Sequence, residues 1–190
     1  MHNLGELYYG GKLVERNISM AFDLFQRAHA LGEVRSTYNL ALMYYNGEGT
    51  NKDLKKSVSL FTSAADRKVA LAQYNLYVIL ADNGVAAPNG QYDNSKAFEW
   101  LKLAANNDFL QAQHDLGLWY FDGKFGSNQN QLRGYGWLFL ATDNGYLKGK
   151  ALMQEAAKRL PVEKVLEAQK VARECKPQED KYRCMLKLRD

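Results

Sequence analysis

A sequence repeat with a period of 36 to 40 residues constrains the fold of this chain more than any other feature. Three columns of residues keep the same phase through the repeat. They hold Leu4, Leu40, Leu76 and Leu116; then Ala21, Ser57, Ala97 and Gly134; and then Ala28, Ala64, Ala104 and Ala141. Each unit of such a repeat packs on its neighbours, so the period predicts a stacked array of similar units.

The apolar positions within each unit follow the period of an α-helix. In the first helix of one unit, Ala72 is followed four residues later by Leu76, which starts an apolar stripe. The second helix shows helical spacing at Ala97, Leu101 and Ala104. Small residues at fixed points allow two backbones to approach closely. We therefore expect each unit to be a pair of helices, here called helix A and helix B.

Turn-forming residues separate the predicted helices. Gly47 and Gly123 occupy one column, and each can end a helix A by adopting a positive φ. Asp53 and Asn94 stand shortly before a helix B, where a side chain can cap free backbone amides. Residues 82–90, which include Pro88, are rich in turn formers and predict a protruding loop.

Two stretches carry the clearest family pattern: YNLALMYYNGEG at residues 38–49 and KAFEWLKLAA at residues 96–105. They resemble the Sel-one-like repeat (SLR) family, α/α solenoids related to tetratricopeptide repeats. The resemblance covers roughly residues 2–160. It implies an all-α fold, a right-handed α/α solenoid superhelix of helix pairs. The departures from the family pattern are interpreted as ordinary divergence; they are Tyr77 at a Gly position, Lys68 and Asp108 at the terminal Gly, and Gly134 at an Ala position.

The same columns divide the chain into an array and a C-terminal cap. The array is expected over residues 1–160, with a partial repeat (1–34), full repeats (35–69, 70–109 and 110–147) and a last helix A (148–158). Pro161, at a first helical position, opens a polar helix that reaches Cys175. That helix and its tail, residues 161–190, are expected to cover the last face of the array.

The residues that catalysis would need are scattered. His2, His29 and His114 lie in three repeats without the spacing of a triad or a metal site. The segment from Gly47 to Lys52 has the glycines of a phosphate loop but neither the preceding strand nor the Gly-Lys-Ser/Thr order. We therefore expect a non-enzymatic protein with no cofactor and no metal.

Cys175 and Cys184 are the only cysteines. After Pro177 the chain can turn back so that the two thiols meet, and a disulfide would then fasten the last segment. Such a bond favours an oxidising compartment, hence a periplasmic or secreted protein after removal of a leader. Two free thiols in a cytoplasmic protein are the alternative.

The net charge and its distribution along the chain indicate which classes of partner to expect. The net charge of +4 argues against a dedicated nucleic-acid binder. The basic excess lies in residues 148–190, with 12 Lys and Arg against 7 Asp and Glu; this is either a solvated face or a guide for an acidic partner. No stretch approaches the roughly 18 consecutive apolar residues that span a bilayer, so membrane insertion is not expected.

One face of the A helices is the expected binding site, because A helices commonly line the concave side of such solenoids. The position before the key Leu holds Asn39, Asn75 and Asp115, a ladder of short polar groups beside aromatic residues. The convex helices and the loop around Pro88 are the alternatives. The residues expected to contact a partner are Tyr38, Asn39, Leu42, Tyr45, Tyr74, Asn75, Val78, His114, Asp115, Leu118, Phe121 and Asp122.

The resemblance implies adaptor or scaffold work on a protein partner, without a small-molecule cofactor. A sharper alternative is a periplasmic immunity protein that binds and neutralises a secreted antibacterial effector. The alternative of another class is a cell-envelope hydrolase, which would need an acid/base pair that the sequence lacks.

Overall fold

The computed structural model describes residues 1–81, 94–123 and 130–189, and in these ranges every regular element is a helix. The α-helices are α1 (His2–Gly10), α2 (Ile18–Ala30), α3 (Val34–Asn46), α4 (Leu54–Asp66), α5 (Ala70–Ala81), α6 (Asn94–Asn106), α7 (Leu110–Asp122), α8 (Gln131–Asp143), α9 (Lys150–Ala157), α10 (Val162–Cys175) and α11 (Lys181–Met185). Within the array, α1, α3, α5 and α7 are the A helices, and α2, α4, α6 and α8 are the B helices.

The A helices end as the glycines predict. Gly47 and Gly123 follow α3 and α7 with φ angles of 79° and 65°, and each amide donates to a carbonyl of the last helical turn. The B helices start on capping side chains: Asp53 accepts from the amide of Lys56, as predicted. The side chain of Asn94 and the predicted loop at residues 82–90 lie outside the described residues.

The turn that ends each B helix contains a residue with a positive φ, whichever residue type stands there. Gly32 and Gly145 have φ angles of 83° and 104°, while Lys68 and Asp108 in the same column have 63° and 60°. The next amide in each turn returns to the carbonyl of the alanine column, at Ala28, Ala64, Ala104 and Ala141. A left-handed φ costs a residue with a side chain roughly 1–2 kcal/mol, so Lys68 and Asp108 hold this conformation under strain.

The chain forms two compact units, Met1–Leu76 and Tyr77–Asp190, with the boundary inside α5. The core of the first unit contains the repeat residues Ala21, Phe25 and Leu40, all at most 3% exposed. Ser57, which belongs to the column of small residues in helix B, donates from its Oγ to the carbonyl oxygen of Ala41 at 2.8 Å. At this position helix B therefore packs directly on the backbone of helix A.

The second unit brings α7 and α8 into closer contact than side chains permit. A Cβ on Gly134 would lie 2.7 Å from the amide nitrogen of Phe121 and 2.8 Å from the carbonyl oxygen of Gly117. Gly134 was expected to be ordinary divergence from Ala. The structure shows instead that glycine is what the spacing of this helix pair requires.

The C-terminal cap packs on α8. Pro161 precedes α10 as its N-cap, one position earlier than the predicted first helical position. Gln169 Nε2 of α10 donates to Tyr135 Oη of α8 at 2.8 Å. The sulfur atoms of Cys175 and Cys184 are bonded, which ties α11 to the end of α10. Among the described residues, none of the helices combines the length and the apolar character of a membrane-spanning segment.

Candidate functional site

The residues expected to bind a partner lie on three A helices and divide between the two compact units. Those of the first unit are Tyr38, Asn39, Leu42 and Tyr45 on α3, and Tyr74 and Asn75 on α5. Those of the second unit are Val78 on α5, and His114, Asp115, Leu118, Phe121 and Asp122 on α7.

In the first unit, the polar ladder and its aromatic edge are joined by a hydrogen bond. Asn75 Nδ2 donates to Tyr38 Oη at 3.2 Å. The Tyr38 ring is tilted against the Phe61 ring with centroids 5.7 Å apart, and burial raises the pKa of the Tyr38 hydroxyl. Tyr38 is therefore a half-buried residue that fixes Asn75, with only part of its ring open to a partner.

A cavity of about 200 Å³ is lined by residues of α1, α2 and α3. Asn39 and Leu42, two of the predicted site residues, line it from α3. The remaining lining residues are Glu6, Tyr9 and Gly10 of α1 and Phe25 of α2. The cavity thus combines an apolar floor with one carboxamide and one carboxylate.

A wider depression of about 490 Å³ shares Glu6 and Gly10 with the cavity. Its other lining residues are Asn3, Leu7, Lys12 and Leu13. Leu13 is 81% exposed, so an apolar side chain stands open to solvent at its rim. We call the cavity and the depression together the α1–α3 groove.

A second carboxylate lies near the groove. Tyr9 Oη donates to Glu48 Oε2 at 2.6 Å, and this bond to a carboxylate, with partial burial, raises the pKa of Tyr9. Asn46 Nδ2 also reaches Glu48, at 3.4 Å. The ammonium group of Lys52 lies over the ring of Tyr45, a predicted site residue, 5.4 Å from the ring centroid.

Glu6 and Tyr9 were not among the residues predicted from the sequence. Both lie in columns that the prediction used, because Glu6 stands 36 residues before Leu42 and Tyr9 stands 36 before Tyr45. Extending the columns into the partial first repeat would have found them.

In the second unit, His114 is packed. Its Nδ1 lies 3.0 Å from Asp115 Oδ1, and its ring lies 5.1 Å from that of Tyr146. A Cβ on Gly149 would come within 2.6 Å of the His114 ring, so the backbone there closes over it. His114 and Asp115 are accordingly only 14% and 21% exposed at their side chains.

Tyr77, which departs from the family pattern, lies beside this pair. Its ring and that of Trp119 have centroids 6.3 Å apart. Burial, with the negative charge of Asp115 as a second cause, raises the pKa of Tyr77 to about 12.

Phe121 does not belong on the open face, and this part of the prediction is corrected. Its side chain is 4% exposed, and the Arg159 guanidinium lies 5.4 Å from its ring centroid. Periodicity within α7 could not foresee a neighbour that follows the repeats in the chain. Val78 and Asp122 are exposed and Leu118 is half-buried, so these residues remain available to a partner.

One group of side chains has the composition of a hydrolytic triad. His2 Nδ1 lies 2.9 Å from Ser36 Oγ, and His2 Nε2 lies 3.3 Å from Glu6 Oε1. Ser36 is completely buried, so its hydroxyl cannot reach a substrate, and the group is a packing contact between α1 and α3. Among the described residues, no cluster of His, Cys, Asp or Glu could hold a metal ion.

The model of the Sel1 repeat family matches residues 1–33, 34–69, 80–109 and 110–146. Among solved structures, a Sel1 repeat protein from Oxalobacter formigenes is 24% identical with a TM-score of 0.74, over 91% of this chain and 71% of that chain. The protein c5321, a protective antigen present in uropathogenic Escherichia coli strains and displaying an SLR fold, is 26% identical with a TM-score of 0.73. That match covers 90% of this chain and 37% of c5321. No curated protein matches significantly. The likeness confirms the expected fold class, an all-α solenoid of helix pairs.

Proposed function

The chain belongs to the Sel1 repeat family, and from this premise we propose that it binds a segment of another protein in the α1–α3 groove, without catalysing a reaction. Sel1 repeats are generally protein-interaction modules on a non-enzymatic scaffold fold. The observation that carries the proposal is the cavity itself, which opens between successive A helices at two of the residues that the repeat pattern selects, Asn39 and Leu42.

The lining of the groove defines the chemistry of the partner. The Asn39 carboxamide can both donate to and accept from a peptide backbone, while the half-buried Leu42 offers an apolar surface. Glu6 lines both parts of the groove, and its side chain is 57% exposed. A segment with an apolar side chain next to Lys or Arg matches this combination, because the carboxylate attracts a cation while the floor takes the apolar group.

The open residues of the second unit, Val78, Leu118 and Asp122, belong to the same proposal as a separate contact region. In this region Val78 and Leu118 are apolar and Asp122 carries a carboxylate, the same combination of groups as in the α1–α3 groove. His114 and Asp115 contribute mainly by shape, since they are largely buried.

We further propose that the protein works in an oxidising compartment, the periplasm or the cell exterior. The bond between Cys175 and Cys184 supports this location, because disulfides persist where thiols are not kept reduced. A periplasmic immunity protein that occludes an antibacterial effector is the specific role compatible with such a location, and an envelope adaptor that holds a client is the general one. A cytoplasmic location would require the two thiols to be free.

A comparison of baits tests the groove. Wild-type protein and three variants, Leu42→Arg, Glu6→Lys and the control Leu71→Arg, are used to capture partners from an envelope extract, which are then identified by mass spectrometry. Leu71 is 46% exposed on α5 and lies outside the groove, so its substitution controls for added charge. Candidate partners are then titrated as purified proteins by calorimetry.

We expect one partner that binds the wild type and Leu71→Arg with equal affinity. Its affinity for each of the two groove variants should be at least about tenfold lower, a difference of about 1.4 kcal/mol in binding free energy. Equal affinity for all four proteins would refute the assignment of the groove. A partner protein that turns out to be a secreted toxin would favour the immunity role over the adaptor role.

A further inference from the structure

The C-terminal segment 180–188, here called the tail, lies on α6 and α8 of the second unit as a peptide would lie in a receptor groove. At its start, the side chain of Asn106 at the end of α6 makes two hydrogen bonds with it. Asn106 Oδ1 accepts from the amide of Tyr182 at 2.7 Å, and Asn106 Nδ2 donates to Asp180 Oδ1 at 3.2 Å.

The far end of the tail is held through its main chain. Arg133 of α8 donates from Nη2 to the carbonyl oxygen of Leu188 at 3.0 Å and to that of Leu186 at 3.5 Å. Contacts of this kind recognise a backbone and not a particular side chain. The same guanidinium lies 5.1 Å from the centroid of the Tyr120 ring, which holds it in position.

Two apolar anchors, Met185 and Leu188, give the tail its specificity. Both side chains are fully buried although the segment is only nine residues long. Gly136 of α8 makes the space for one of them, because a Cβ at this position would lie 2.6 Å from Leu188 Cδ1. The receptor surface is therefore shaped for a leucine at this point.

Polar side chains of the tail are also matched. The buried ammonium of Lys181 lies 3.2 Å from Asp108 Oδ2 and donates to the carbonyl oxygen of Asn106 at 3.3 Å. The hydroxyl groups of Tyr182 and Tyr120 are 2.7 Å apart. The tail thus uses apolar anchors, a buried cation and main-chain bonds together, as peptide ligands do.

We propose that this surface of α6 and α8 is a peptide-docking site that can take the tail of a second copy of the chain, and that the disulfide keeps it filled by the chain's own tail. The bond between Cys175 and Cys184 holds their Cα atoms 5.6 Å apart, so while it is intact the middle of the tail stays at the end of α10 and its anchors stay next to their own site. Residues 176–179 are exposed, and four residues extended span roughly 14 Å. Opening the bond would let this linker carry the tail to a neighbouring molecule, the usual route to segment exchange.

The opening step is a thiol–disulfide exchange with a dithiol reductant. Its two electrons reduce the bond between the two sulfur atoms, the two cysteines become thiols, and the reductant leaves as a cyclic disulfide. The inference does not depend on the α1–α3 groove, since the docking site lies in the other compact unit.

The test uses a labelled synthetic peptide of residues 178–190 with Ser in place of Cys184, and fluorescence polarisation. The receptor is the full chain with Cys175→Ser, Cys184→Ser, Met185→Asp and Leu188→Asp, whose own tail lacks its bond and its anchors. Oxidised wild-type chain is the closed control, and the peptide carrying Leu188→Asp is the ligand control.

We expect the opened variant to bind the peptide on the order of a hundredfold more tightly than oxidised wild type, because a tethered tail competes at high effective concentration. The control peptide should not bind to either protein. Absence of binding to an opened variant with wild-type circular dichroism would overturn the proposal, as would equal binding to the oxidised wild type.

A second measurement covers the case in which the opened variant does not fold. Wild-type chain is reduced with a dithiol, and its mass is followed by light scattering over a range of concentrations while hydrogen exchange is measured at the Tyr182 amide. Faster exchange and a dimer that grows with concentration support exchange of the tail. A strictly monomeric reduced chain with unchanged protection contradicts it.

Discussion

Replacing Gly134 by alanine places a methyl group where α7 and α8 leave no room for one. The new Cβ would meet the amide nitrogen of Phe121 at 2.7 Å and the carbonyl oxygen of Gly117 at 2.8 Å. Ordinary contacts of a Cβ begin near 3.4 Å, so the two helices must separate by several tenths of an ångström. Both obstacles are backbone atoms, and no change of rotamer can relieve the clash.

The change in the free energy of unfolding that Gly134→Ala causes is the sum of two opposing effects. Overpacking a well-filled core costs typically about 1–3 kcal/mol, and a clash with backbone belongs at the upper end of that range. Alanine in place of glycine inside a helix returns about 0.5–1 kcal/mol. We therefore expect Gly134→Ala to lower the free energy of unfolding by about 2 kcal/mol, or the midpoint temperature by about 4–8 °C in a chain of this size.

Urea unfolding followed by tryptophan fluorescence is the assay, because Trp100, Trp119 and Trp137 all lie in the second unit with Gly134. Gly10→Ala is the matched control, measured by circular dichroism: it is also a helical glycine, but an added Cβ there meets nothing within 4 Å. Its stability should be equal to or above that of the wild type. A Gly134→Ala protein as stable as the wild type would refute the reasoning about close approach.

Three further predictions concern other sites. Lys68→Gly should raise the free energy of unfolding by about 0.5–1 kcal/mol in a urea titration, because glycine adopts the φ of 63° without strain; a lower stability would contradict this. Replacing Cys175 and Cys184 together by Ser should lower it by about 2–3 kcal/mol, since the unfolded chain regains the entropy of a short closed loop; an unchanged urea midpoint relative to oxidised wild type would argue against that. Tyr77 should stabilise the fold fully below its ordinary pKa of 10.0 and progressively less as the pH rises to about 12, where it ionises in the folded state. Thermal unfolding across this pH range should show that loss, and Tyr77→Phe should reduce it; an identical pH profile for the variant would place the cause elsewhere.

The repeat columns predicted the helix pairs, their turns and the fold class, because each of these depends on contacts that recur in every unit. The side chains of one column need not share an environment, however. Tyr45 and Phe121 occupy the same column, yet Tyr45 is half-buried and Phe121 is buried against Arg159. Arg159 lies in the turn that follows α9, beyond the predicted last helix A, and the repeat columns hold no residue equivalent to it.

The docking of the tail was beyond sequence reasoning for a related reason. Asn106 and Tyr182 are 76 residues apart, and nothing in their local sequence marks them as partners. The cysteine pair indicated that the end of the chain could be fastened. Only the structure shows that Met185 and Leu188 are anchors and that Gly136 makes room for one of them.

The shared turn at the end of each B helix has a consequence for how such a chain can change its length. Gly32, Lys68, Asp108 and Gly145 all have a positive φ although their side chains differ in size and charge. The stacking of helix pairs therefore imposes the turn, and the residue in it has only to tolerate the φ angle. A whole repeat can then be duplicated or lost at these positions without new turn residues being selected, and we expect lineages of this chain to differ by complete helix pairs.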